Sequence, residues 1–297
     1  MKYSTCKICN NYKDLVPYIN DIRNYNNQLA FRGLADFNYT LQTRIADKFK
    51  TPDTTNKVFA DILNVLQKYI ENTSIKSLFS VDSFNFPTKN FKNLWEYIFQ
   101  AQHIGIPTIA MDWSLELETA LYFACNNESI VGKLWILNTE AFNWNHDTIV
   151  SKSLYCQNPF DLKDYYFIRP SFHDDSNYQT IIPAKRLYYQ KGAFLIMPSN
   201  DNIEPLEIRR DFKHYLRPII ITTKFKKEFN NILKSKIDVS NSVLANNQFK
   251  EEPFIEKIDG KYYKQYNDKF FYGIIPPELL TVVNEIRLKH GFDELNN

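Results

Sequence analysis

Apolar positions at i, i+4 and i+7 open the pattern. Leu15, Ile19 and Ile22 predict an amphipathic helix. "NQLAFRG" then predicts a short strand ending at Gly33. "NYTLQTRIADKF" predicts a loop followed by a helix. The longest stripe, Val58, Ile62, Val65, Leu66 and Ile70, predicts a helix with a Thr or Asp ahead to cap it. Leu94, Ile98 and Phe99 mark another helix, stopped by Gly105 with Pro107 beyond. "TIAMDW" predicts a short buried strand. "SLELETALYFACNN" predicts a helix with Ser114 as N-cap and Glu118 one turn on, close to a capping box.

The remaining chain continues in both periods. "VGKLWILN" and "RPIIITT" predict strands, and "KFKKEFNNILKSK" a helix. "RLYYQKGAFLIMP" predicts a strand with an internal Gly and then a core strand ended by Pro198. Thr139 to Asn177 hold no firm period and are expected to be irregular. "KYYKQYNDKFFYGII" predicts a hairpin about Asn267 and Asp268. "PPELLTVVNEIRLKHG" predicts a helix with Leu279, Leu280, Val283 and Ile286 inward and Gly291 as C′. Strands and helices do not alternate strictly, so the expected class is α+β. The expected division is one main domain over 1–237 and a C-terminal hairpin-plus-helix appendage over 238–297.

Composition narrows the setting. Of 297 residues, 44 % are hydrophobic and 24 % charged, enough to bury a core without staples. A net charge of +2 is not the footprint of a dedicated nucleic-acid binder. Two features keep nucleic acid open: the 23 Phe and 19 Tyr, as stacking platforms, and the basic run Lys224 to Lys236. An aromatic core and a solvated helix face explain the same two features. Four Cys make no disulfide framework, the start of the chain shows no apolar leader, and no long apolar run predicts a membrane span. The expectation is a cytoplasmic protein without a membrane partner. Cys6 and Cys9 have the spacing of half a zinc site, but no second pair completes it, so no metal is expected.

Special residues gather in three places: Phe31-Arg32-Gly33, the stretch from Gln100 to Ala124, and Gln190-Lys191-Gly192. An Arg at a strand end beside a Gly suits a phosphate or carboxylate. Each residue also has a structural reading. Arg32 can hold a salt bridge, Asp112 and Ser114 can cap a helix, Trp113 can fill the core, and His103 can sit against a helix dipole. No P-loop, Rossmann turn, nucleophile elbow or zinc-protease helix is present. "HDD" at His173 to Asp175 is the one acidic-His cluster, placed in a polar loop.

These three motifs together resemble the FRG domain family, named for its Phe-Arg-Gly. Its second motif is met by Gln102-His103-Ile104-Gly105-Ile106-Pro107-Thr108, then Asp112-Trp113-Ser114, then Ala120 to Ala124. Ile109 stands where the family usually has Arg. The third is met by Gln190, Gly192 and Phe194, so the motifs frame about residues 25–225. The order of motifs also resembles ADP-ribosyltransferases. That resemblance implies a split mixed sheet flanked by helices and NAD as substrate. It further implies a binding set of Arg32, Gly33, Thr108, Trp113 and Tyr122, with Arg32 on the phosphates and the rings on the nicotinamide. Catalysis would fall to His103, Asp112, Ser114 and Gln190, because Gly192 stands where that class has its Glu. The acceptor would be a protein or nucleic acid, and the setting phage defence or a toxin. Two alternatives are a nucleic-acid-binding or nuclease-like module, and a partner-binding sensor domain without catalysis.

Overall fold

The computed structural model describes residues 6–25, 29–72, 92–139, 154–169, 190–198, 203–234, 237–238, 255–258, 261–264 and 277–295. Among them the chain is α+β and divides into two compact units, each with its own hydrophobic core.

The first unit comprises residues 1–39, 114–140 and 214–271. Its sheet runs β1 (Lys7–Cys9), β7 (Leu216–Ile221), β4 (Gly132–Asn138), β2 (Leu29–Leu34) in spatial order. β1 lies parallel to β7 and the other pairs are antiparallel, so the sheet is mixed. Alternation sends Phe31, Leu134, Ile136, Ile219 and Ile221 to one face. On that face they meet α1 (Tyr12–Tyr25), α5 (Leu117–Cys125) and α6 (Thr223–Lys234). Leu15, Ile19 and Ile22 are buried there, as their spacing predicts. β8 (Ile237–Asp238), β10 (Lys261–Lys264) and β9 (Ile255–Ile258) form a separate antiparallel sheet. The strand opening "KYYK" therefore pairs with the strand upstream of it. The hairpin expected about Asn267 and Asp268 lies outside the described residues.

The second unit comprises residues 40–113, 141–213 and 272–297. It holds α2 (Arg44–Phe49), α3 (Pro52–Asn72), α4 (Lys92–His103) and α7 (Pro277–Lys289). Its strands run β3 (Ala110–Ser114), β6 (Gly192–Ile196), β5 (Tyr166–Ile168), although Ser114 itself counts with the first unit. The stripes of α3, α4 and α7 converge on one core, in which the Phe99 and Phe194 rings stack 4.7 Å apart.

Three local expectations are corrected. Ser114 closes strand β3 and does not cap α5; the N-cap residue is Glu116, without a side-chain capping bond. The reason is local: Ser114 pairs with Phe31 across the sheet, which holds its backbone extended. The stretch from Thr139 to Asn177 contains β5, whose three residues are all buried. Three residues carry too short a run to show a period. Gly192 starts β6 rather than interrupting a strand, after a turn in which Lys191 takes φ 46°.

Candidate functional site

The stretch from Gln100 to Ser114 is explained first by its own hydrogen bonds. Gly105 ends α4 with φ 90°, a conformation that favours glycine. A Cβ there would lie 2.3 Å from Leu295. The Gly105 carbonyl accepts from Arg287 of α7 at 2.6 Å. Desolvation, followed by the charge of Arg44, lowers the Arg287 pKa to about 10. Beyond the turn, Thr108 Oγ1 donates to Gln102 Oε1 at 2.6 Å, and Gln102 Nε2 donates to Asp112 Oδ2 at 2.7 Å. Thr108 Oγ1 also accepts from Ala110 N at 3.1 Å. This chain ties the end of α4 to β3 and occupies one carboxylate oxygen of Asp112. Thr108→Val should lower stability by about 1–2 kcal/mol, since Gln102 loses a buried partner. Urea unfolding checks this, and an unchanged midpoint would remove the tie.

β2 carries the first motif. A Cβ on Gly33 would lie 1.7 Å from the Ala120 carbonyl oxygen and 2.6 Å from Ala124 N. The backbone that approaches Gly33 is thus that of α5, and the small residues of "ALYFA" face it. Arg32 alternates to the other face of the sheet. Ser114, opposite Phe31, shares the Phe31 face instead. Arg32 and Ser114 are therefore neighbours in sequence register but project to opposite faces. On the Ser114 side, Ser114 Oγ accepts from Glu116 N at 3.0 Å and Glu116 Oε2 accepts from Thr119 Oγ1 at 2.6 Å. Tyr12 OH donates to Glu118 Oε1 at 2.9 Å. Desolvation first, and then the Glu118 charge, push the Tyr12 pKa well up. Arg23 lies over the Phe31 ring at 5.5 Å, with its pKa lowered by desolvation against the opposing pull of Glu118.

The Arg32 side has a different character. Arg32 is in register with Trp135 of β4, and Trp135 with Pro218 of β7. Lys133, two residues from Trp135, reaches 5.4 Å from its ring and 4.3 Å from the ring of Phe37. Trp135 is buried, and its indole Nε1 has no hydrogen-bond partner among the described residues. Arg32, Lys133 and Trp135 thus share one sheet face, with the ring of Phe37 beside it. Sequence reasoning missed Lys133 and Trp135. Their signal was present: in "KLWIL" the two alternate with Leu134 and Ile136, which places them together opposite the apolar face.

The other expected residues scatter. Thr108, Asp112 and Trp113 belong to the second unit, as does Gln190, which is buried in the turn before β6. Trp113 is buried, and its own Nε1 has no hydrogen-bond partner among the described residues. Tyr122 is half-buried on α5, its ring edge-on to Phe123 at 5.5 Å. His103 ends α4, and His173 to Asp175 lie outside the described residues. Cys9 is buried in the first core while Cys6 is exposed, as extended backbone separates them. No group of three metal-ligating side chains occurs among the described residues. None of their helices is long and apolar enough to cross a membrane. Of the basic run at the start of α6, Lys226 is fully buried and donates to the carbonyls of Ala35 and Asn127 at 2.7 and 2.8 Å. That removes one cation from the surface patch the sequence suggests.

The class is thus an α+β protein whose first unit packs three helices on one face of a mixed sheet and sets Arg32 on the other. Residues 27–131 match the FRG domain family, so the chain carries an FRG domain. That span runs from the approach to β2, through β3 and α5, to the residue before β4. No curated protein and no solved structure matches the chain.

Proposed function

We propose that this FRG-domain protein binds NAD through the Arg32 face of its first unit and consumes it as an ADP-ribosyltransferase-like enzyme. The observation that supports the reading most is the register of Arg32 with Trp135 beside Lys133. Arg suits the paired oxygens of a phosphate, Lys adds a point charge, and exposed Phe37 offers a ring to a base. NAD consumption would suit an effector of phage defence or a toxin.

Ligand binding raises apparent stability by mass action, by about 2.7 kcal/mol at a hundred times Kd. NAD or ADP-ribose should therefore raise the thermal midpoint, by about 2–4 °C for each kcal/mol. Arg32→Ala should abolish the shift. Release of nicotinamide with a macromolecular acceptor would then report turnover. No shift with NAD, ADP-ribose or AMP would sink the reading.

A further inference from the structure

We infer that the exposed part of the Arg32 face is a platform for one strand of nucleic acid. This platform does not rest on the NAD reading above. The register sets Ile8 opposite Ile220 and Ile220 opposite Lys133, and in the next row Pro218 opposite Trp135 and Trp135 opposite Arg32. The helices of the unit pack on the other face. On this face Ile8 is 59 % exposed while Ala30, Leu34, Trp135, Leu137 and Leu216 are buried, and in the loop beyond β2 Phe37 is 42 % and Tyr39 58 % exposed. Every position that alternation places on this face of the four strands is apolar, aromatic or basic, and none is acidic. Asp36, in the loop beyond β2, turns back to accept from Asn38 N at 2.8 Å.

Open rings in a loop beside a sheet stack on bases whatever their sequence, because each base has a π-face. Cations between the rings meet the backbone phosphates. Lys133 reaches both the exposed Phe37 ring and the buried Trp135 ring, so an open ring and a cation adjoin as base and phosphate do in a single strand. A duplex hides its base faces and would gain nothing from Phe37 and Tyr39. The face therefore fits an unpaired strand.

The test uses the full chain without NAD, titrated into labelled RNA and DNA single strands of about 12 nucleotides, within the site size of one such platform. Fluorescence anisotropy is read from about 50 to about 200 mM salt. Binding is expected, stronger for single strands than for the matching duplex. Phe37→Ala and Tyr39→Ala should each weaken it by about fivefold or more. Lys133→Ala should weaken it and reduce the salt slope by about one. Phe37 and Tyr39 are exposed, so thermal midpoints should confirm that both variants fold. No binding at the lowest salt overturns the inference, as does binding indifferent to all three substitutions. The NAD midpoint shift is measured separately on the same wild-type preparation. A retained shift without strand binding defeats the platform alone; strand binding without a shift defeats the NAD reading alone.

Discussion

Gly33→Ala should destabilise the protein by about 3 kcal/mol, at the upper end of what an added methylene in a packed interior costs. The magnitude follows from what the new methyl meets. Its nearest neighbour, at 1.7 Å, is the Ala120 carbonyl oxygen, and the next is Ala124 N at 2.6 Å. Both are backbone atoms of α5, so no side chain can rotate away. Relief requires α5 to move off the sheet, which opens the buried cluster around Phe31, Leu121 and Ala124. Gly132 repeats the arrangement on β4, where a Cβ would lie 2.7 Å from the Ala124 carbonyl oxygen. The two glycines and the two alanines together allow a helix to sit unusually close to two strands. The thermal midpoint of Gly33→Ala should fall by about 6–12 °C. A midpoint within error of wild type would mean that α5 does not lie against β2. The NAD shift per mole of folded variant should survive, which separates packing at Gly33 from contact at Arg32.

That example shows why part of the site was legible in the sequence and part was not. A conspicuous Gly beside an Arg reads equally well as room for a ligand or room for a helix, and only the position of α5 decides. Periodicity found the stripes of α1, α3, α4 and α7, because each buries one face of a long helix against a core. It did not find β5, three residues long. It also misread Ser114. A Ser before an apolar helix looks like a cap, but its pairing with Phe31 is a contact across 83 residues of sequence that no local pattern carries. The separation of Arg32 from Ser114 follows from the same pairing. Strand alternation gives each residue its parity, yet which residues share a face across two strands depends on register, and register is a tertiary fact. Trp135 became visible only when β4 was laid beside β2. Likewise Gln102, Thr108 and Asp112 stand within one motif, but their hydrogen-bonded chain needs the turn at Gly105 to close it.

Lys226 is the other position where one substitution should have a large effect, for a reason opposite in kind. Its stem is fully buried and its ammonium donates to Ala35 O at 2.7 Å and Asn127 O at 2.8 Å. Ala35 opens the loop that carries Phe37, and Asn127 lies in the loop that leads to Lys133. One cation therefore fixes both approaches to the Arg32 face. Lys226→Met keeps the stem and removes the donors. Two carbonyls then lose a charged partner, at about 1–3 kcal/mol each. Against this stands the relief of a desolvated charge, because burial lowers the Lys226 pKa against the pull of Cys125 and Asp36. The two lost bonds should exceed that relief, leaving a net loss of about 2 kcal/mol at neutral pH. The sign of the pH dependence follows from the lowered pKa. The folded state holds this proton less tightly than the unfolded chain, so the Lys226 contribution grows as pH rises from the lowered value toward the ordinary Lys value. The gap between wild type and Lys226→Met should widen over that interval in urea unfolding. Exchange of the Phe37 amide, which donates to Val131 O at 2.8 Å, should accelerate in the variant. If stability fell but Phe37 stayed as protected as in wild type, Lys226 would brace the core without organising the face.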